Sequence, residues 1–379
     1  MSINAVIAKP TRECNADCTY CSAPPTIGNF WSIETFRRYF DRVSPSLSPS
    51  ATWIWHGGEP MLLGPDFYIS AYEYAKSRHP GIRFSMQTNL LGYSPGRWGN
   101  VMANVFGGSV STSYDPDERL RTVEGSSKLY NTVFKKRLDQ FLYDGFSPLV
   151  LSVLSDETLE FGLQFLEESL KHEKFSMRFN YVYPAGKGAD NASVMTPALY
   201  GEFLIKCFDM WTRSTGNIDV VPVSQMLDLC LGLDSDRCPW TSNCSSHFLH
   251  VDPEGDVYTC GSLADLNDSS LCYGNLNDIS DEDVALGAGV SRLLSSQGAL
   301  KITKRRLNIP VDCKSCEHLD VCRGGCQRDA ALYDRGLGGK FYFCESWLVV
   351  FDHIKKRIKS GEIASFIENR YLMKERSVQ

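Results

Sequence analysis

The chain has 379 residues, 43% of them hydrophobic and 22% charged. That is enough apolar side chain for a full core, which excludes disorder and coiled coil, and the length suits two domains or one large α/β domain with an extension. Lys and Arg number 39 against 45 Asp and Glu, a net charge of −6, so no overall positive field is available to hold nucleic acid or an anionic lipid surface.

Short β-rich runs and amphipathic segments alternate from residue 3 to about 215. Strands are predicted over 3–8, 51–56, 82–88, 108–113, 148–154 and 175–183, with helices over 32–43, 65–79, 95–105, 126–144, 156–172 and 197–214. Six β–α repeats imply a parallel sheet with right-handed crossovers. The expected fold class is therefore α/β, a partial six-unit β/α barrel, over residues 1–215. Beyond 216 the alternation stops. Residues 216–345 form the expected second domain, of which 228–345 are rich in Asp, Gly, Ser and Cys, with one hairpin-like run at 247–260 turning at Pro253–Asp256. A region so poor in periodic apolar positions needs bound metal for stability. Residues 346–379 read as a helical segment that closes the end of the barrel.

The 14 cysteines are unevenly placed. Three precede residue 22, eleven follow residue 206, and none lies between. No basic stretch followed by an apolar run opens the chain, and no apolar run reaches the length of a membrane span, so a cytoplasmic protein is expected. In a reducing compartment clustered thiols are better read as metal ligands than as disulfides. Cys14, Cys18 and Cys21 follow the first strand with spacing C-x3-C-x2-C. Three thiolates hold three irons of a four-iron cubane and leave one iron open for substrate or cofactor. A zinc site with a fourth ligand, or a reactive thiol pair, is the plainer reading. Farther on, Cys238, Cys244, Cys260, Cys313, Cys316, Cys322, Cys326 and Cys344 supply the eight thiolates that two fully ligated four-iron clusters need. The plainer alternative there is a pair of zinc knuckles completed by His318 or His247. Cys207, Cys230 and Cys272 are left for packing.

The run C-x3-C-x-Tyr-C at Cys14–Cys21 resembles the signature of radical S-adenosylmethionine (radical SAM) enzymes, and the later cysteines are similar in spacing to the SPASM extension of the peptide-modifying members. The resemblance implies a SAM-binding cluster on Cys14, Cys18 and Cys21, with Tyr20 near the adenine. It implies an auxiliary cluster I on Cys238, Cys244, Cys260 and Cys326, and an auxiliary cluster II on Cys313, Cys316, Cys322 and Cys344. The cofactors expected are thus three [4Fe-4S] clusters and SAM. Gly57, Gly58 and Glu59 match the family's GGEP motif, which receives the SAM amino group. Gln87, Asn89, Ser111 and Ser113 close the third and fourth strands, and Arg121 is the candidate for an arginine that contacts the SAM carboxylate or ribose, with Arg119 competing.

By the same resemblance the enzyme cleaves SAM to a 5′-deoxyadenosyl radical and oxidises a side chain of a ribosomal precursor peptide. An external flavodoxin- or ferredoxin-type donor would supply electrons, and neither nucleic acid nor membrane is an expected partner. The preferred reaction is a carbon–carbon cross-link between side chains, of the cyclophane kind. Alternatives are a sulfatase-maturase-like or small-alcohol dehydrogenase, and a non-catalytic iron–sulfur electron carrier. In the sulfatase-maturating subclass an aspartate directly after the G-x4-C cysteine acts as base. Here that position is Gly261, which counts against the reading unless another carboxylate such as Asp265 substitutes, so the base is left unassigned. The first motif begins at Pro10, so an added leader-binding domain ahead of it is not expected.

Overall fold

A computed structural model describes residues 2–23, 26–191, 195–233, 238–241, 244–333 and 336–377. Strands β1 (Ile3–Ala8), β2 (Leu47–Trp55), β3 (Arg83–Thr88), β4 (Val110–Ser113), β5 (Leu149–Leu154) and β6 (Ser176–Tyr181) pair in parallel in that order. Between them run helices α1 (Ile33–Val43), α2 (Pro65–Arg78), α3 (Pro95–Asn104), α4 (Ser127–Tyr143) and α5 (Leu159–Leu170), and α6 (Pro197–Trp211) follows β6. Local chemistry sets their starts: Ser32 and Ser126 accept from the backbone amides of Thr35 and Leu129, and prolines open α2, α3 and α6.

The sheet does not close. A two-residue strand β7 (Val220–Val221) ends it beyond β6, and it is extended on the other side of β1 by the hairpin from the cysteine-rich half. There β8 (Phe248–Val251) lies parallel to β1, with Val6 opposite Leu249 and Ala8 opposite Val251, while β9 (Asp256–Tyr258) and β10 (Gly274–Asn275) continue antiparallel.

Two hydrophobic cores result, and both cross residue 216. One joins β1–β4 and α1–α3 to Leu249, Val251, Val257, Leu263 and Ile302, with Phe36, Trp53, Trp55 and Phe84 packed edge to face. The other joins β5, β6 and α6 to Trp240, Phe341, Phe343 and the long helix α9 (Cys344–Lys359), reached after α7 (Val223–Cys230) and α8 (Gln297–Leu307). Among the described residues no helix is long and apolar enough to cross a membrane.

A buried polar clamp ties the two halves. Asp252, just past β8, accepts from the His250 ring at 2.8 Å and pairs with Arg12, on the loop after β1, at 2.9 Å. Burial raises the Asp252 carboxyl, but the His250 hydrogen bond with the Lys9 and Arg12 charges more than offsets it and holds the group down to about 2. A depressed carboxyl contributes stability above its unfolded value that is lost as pH falls through the folded one. We therefore expect Asp252→Asn to cost about 2 kcal/mol in urea unfolding at pH 7, with the gap to the parent closing between pH 4 and pH 2. A gap that stays constant over that range would mean that the carboxylate is not so held.

Candidate active site

The carboxyl ends of the parallel strands surround a cavity of about 230 Å³, the place where ligands bind in β/α folds. Cys14, Cys18, Tyr20 and Cys21 enter it from the loop after β1, His56–Glu59 from the end of β2, Gln87 and Asn89 from β3, and Ser113 and Arg121 from β4 and beyond. Leu151, Val153, Asn180, Tyr181 and Tyr183 complete the wall from β5 and β6.

The two loops nearest the thiols pack backbone to backbone. Gly58 N donates to Thr11 O at 3.0 Å and Glu59 N to Glu13 O at 2.8 Å. A Cβ on Gly57 would stand 2.3 Å from Thr11 O, and one on Gly58 2.1 Å from Glu13 O, so only glycine permits this approach. The Glu59 side chain is 1% exposed and accepts from Met61 N, Thr88 Oγ1 and Asn89 N at 2.9, 2.6 and 2.7 Å. Burial pushes its carboxyl up to about 7 against the pull of these bonds. Its oxygens thus brace the ends of β2 and β3.

Arg121 is buried on a short ribbon in which Arg121–Thr122 pairs with Asp17–Cys18. Its Nε donates to Asp115 Oδ2 at 2.6 Å and its Nη2 to the Tyr20 hydroxyl, which itself donates to Asp115 Oδ2 at 2.5 Å. Arg119 instead pairs with Asp117 and stays mostly exposed, so Arg121 is the arginine of the cavity. Gln87 donates to Ser113 Oγ at 2.9 Å and accepts from Ser111. Ser111 lies one pleat deeper in the barrel, facing its opposite end, and not on the cavity wall. Asn89 donates to Asn15 Oδ1 at 2.7 Å.

His56 carries a signal that the spacing of motifs does not. Its Nδ1 accepts from Gly57 N at 2.8 Å, so the neutral ring bears its proton on Nε2. Burial, with the nearby Lys9 charge, lowers its pKa to about 4 and keeps it neutral. Asn180, Tyr181 and Tyr183 were likewise not singled out by sequence, although they end a predicted strand. Asp265 pairs with Lys9 at 2.9 Å and accepts from Ser22 Oγ at 3.0 Å, so both of its oxygens are engaged. At Gly261 a Cβ would lie 3.3 Å from the His250 ring and 3.5 Å from Lys9 Cε; no carboxylate stands there.

All fourteen cysteines are free of disulfides. Cys313, Cys316, Cys322 and Cys344 line one small apolar pocket. Cys244, Cys260 and Cys326 have thiols raised above all by burial, and each is near enough to Cys238 for that residue's charge to add to the rise. The His318 ring bonds Asp352 Oδ1 and Lys355 Nζ, both at 2.9 Å, so both its nitrogens are engaged away from the thiols. Cys207 is fully buried in α6.

No family model matches the chain. Relatives are nevertheless found over almost its whole length. It is 22% identical to a cysteine-type anaerobic sulfatase-maturating enzyme of Clostridium novyi, covering 93% of this chain and 95% of the relative. It is 23% identical to a serine-type enzyme of Klebsiella aerogenes over 89% and 84% of the two chains. The solved structure of native anSMEcpe with bound AdoMet superposes with a TM-score of 0.76 at 20% identity, over 94% of this chain and 98% of that one. Streptococcus suis SuiB bound to S-adenosylmethionine follows at 0.63 and 14%, over 91% and 77%.

Over almost its whole length the chain is thus similar to radical SAM enzymes of the SPASM type. That similarity to enzymes counts against the electron-carrier alternative, and the relatives fit the sulfatase-maturase-like alternative better than the cyclophane reading. The relatives' family implies SAM and iron–sulfur clusters, and the donor chemistry of the residues present fits them. Three thiols meet at the strand ends, four more line a single pocket, and the buried Nη1 of Arg328, two residues beyond Cys326, has no hydrogen-bond partner among the described residues.

Proposed function

We propose that this enzyme oxidises a side chain of a peptide or protein substrate in the cavity at the strand ends, with SAM held at a cluster on Cys14, Cys18 and Cys21. The observation that carries the reading is the convergence of those thiols with Gly57–Glu59, Gln87, Asn89, Ser113 and Arg121 on one cavity. When bound, SAM and its cluster supply a 5′-deoxyadenosyl radical that abstracts hydrogen from the substrate. The chain's own residues hold and orient. Arg121, fixed by Asp115 and Tyr20, offers positive charge to a carboxylate. Ser113, Gln87 and Asn89 offer neutral polar groups, and His56 presents Nε2–H. Tyr181, Tyr183, Leu151 and Val153 exclude water from the radical. The eight later cysteines are assigned to two further clusters: Cys238, Cys244, Cys260 and Cys326 to one, and Cys313, Cys316, Cys322 and Cys344 to the other. We read residues 1–215 as the barrel, 216–345 as the SPASM domain and 346–379 as a C-terminal helical segment.

Two products are in view. The relatives support conversion of a cysteinyl or seryl residue to formylglycine, since they are named as sulfatase-maturating enzymes. Gly261 supports the cross-link instead, because a carboxylate base is missing where that subclass has one. A peptide substrate suits both, as SuiB has been solved with its precursor peptide SuiA. Anaerobic incubation with SAM, dithionite and candidate peptides, followed by mass spectrometry, separates them. Formylglycine reacts with a hydrazine, whereas a cross-linked peptide loses two hydrogens and resists it. If no 5′-deoxyadenosine is released with any peptide or with SAM alone, the enzyme reading is wrong.

A further inference from the structure

Arg328 is a cation in an unusual place. It is 9% exposed and lies two residues beyond Cys326, at the start of a short helix in the cysteine-rich half. Its guanidinium lies over the Tyr183 ring, 3.9 Å from the centroid. Its Nε pairs with Asp329 at 2.8 Å, and Asp329 accepts from the Tyr181 hydroxyl at 2.7 Å. Tyr181 and Tyr183 both line the substrate cavity. On its other side it follows Cys326 by two residues, and Gln327 between them reaches Cys244 Sγ at 3.1 Å. Arg328 therefore stands between the cavity wall and the thiols assigned to auxiliary cluster I.

Burying an arginine against a single carboxylate leaves donors to be satisfied, and here one is not. Nη1 is buried and has no hydrogen-bond partner among the described residues. A buried N–H without an acceptor costs about 1–3 kcal/mol, and sulfur of a bound cluster is an acceptor that would remove the cost. The polar atoms nearby follow the same pattern, since Gln327 Nε2 donates to Cys244 Sγ at 3.1 Å. Net charge and hydrogen bonds to sulfur set the potential of an iron–sulfur cluster. A cluster with four thiolates carries one more negative charge than a cluster with three, which opposes the uptake of an electron, and a buried cation beside it offsets that.

We propose that Arg328, clamped between Tyr183 and Asp329, raises the reduction potential of the cluster held by Cys238, Cys244, Cys260 and Cys326, the one next to the cavity wall. It is a positioning and tuning residue and touches no reacting atom. The inference rests on the cluster assignment above.

The test is a potentiometric titration followed by electron paramagnetic resonance on reconstituted protein whose Cys14, Cys18 and Cys21 are alanine, so that only auxiliary clusters report. Arg328→Gln should make reduction of one cluster about tenfold less favourable, about 59 mV lower for a one-electron couple, and leave the other unchanged. Arg328→Lys, which keeps the charge, should shift the same cluster by less. Unchanged potentials in Arg328→Gln at full iron content overturn the proposal, as does an equal shift of both clusters. Should Arg328→Gln lose iron, Arg328→Lys decides: iron retained with an intermediate potential supports the role, and iron retained at the parental potential overturns it. If the parent itself binds no auxiliary iron, it is the cluster assignment that has failed, and the inference falls with it.

Discussion

Replacing Cys14, Cys18 and Cys21 together with alanine is expected to abolish release of 5′-deoxyadenosine while about eight of about twelve irons stay bound to reconstituted protein. The three thiols are the cysteines on the wall of the cavity, so no neighbouring thiol replaces them. Burial pushes Cys14 up to about 12, which keeps it protonated until a metal provides the compensating charge. These residues therefore have little to hold them in place as thiolates except the cluster. The other eight assigned ligands lie elsewhere, four of them around their own pocket, and do not depend on the first three. Iron analysis with a SAM-cleavage assay reads both halves of the expectation. Iron near zero would mean that the sites assemble as one, and iron near twelve that these cysteines are not ligands.

The second large effect is expected at Gly58. Alanine there puts a methyl group 2.1 Å from Glu13 O and 2.5 Å from Arg12 O, backbone atoms that no rotamer change can move. Relief requires the loops to part, which breaks the Gly58–Thr11 and Glu59–Glu13 hydrogen bonds and displaces the backbone directly before Cys14. Overpacking of this kind costs about 1–3 kcal/mol. The functional loss should be larger than the stability loss, with SAM cleavage down by about 100-fold, because a misplacement of about 1 Å near reacting groups costs that much. Auxiliary iron should remain. Gly96→Ala is the control, since it lies in α3 with nothing within 4 Å of the new Cβ; it should leave activity alone and raise stability by about 0.5–1 kcal/mol. Equal behaviour of the two variants would refute the close-approach argument.

Much of this was legible from the sequence because it is local. Strands predicted at 3–8, 82–88 and 148–154 appear as Ile3–Ala8, Arg83–Thr88 and Leu149–Leu154, since hydrophobic period and turn residues act over a few positions. The residues read as motifs at strand ends meet at one cavity, because a parallel sheet brings every carboxyl end to the same side. What was not legible depends on pairing between distant segments. The alternation in 247–260 predicts a hairpin but not that Phe248–Val251 would lie beside Ile3–Ala8. Ser111 and Ser113 look equivalent in sequence, yet only Ser113 reaches the cavity, because one pleat separates their depths. Glu59 shows the same limit: its motif gives its place, while its partners, Met61, Thr88 and Asn89, come from how β2 and β3 end.

The pairing of β8 with β1 also bears on how the molecule is made. β1 is made before the rest of the β/α repeat, and one of its two edges is completed by a strand that emerges only after the whole of that repeat. Until then a short apolar strand has an open hydrogen-bonding edge, a template for pairing with other polypeptides. Closure of that edge brings the loop bearing Arg12 against Asp252, next to the cysteines that follow. Synthesis and assembly of the cavity are thereby placed in order: the loop after β1 is backed by its partner strand only once residues 248–251 have been made and threaded into the sheet.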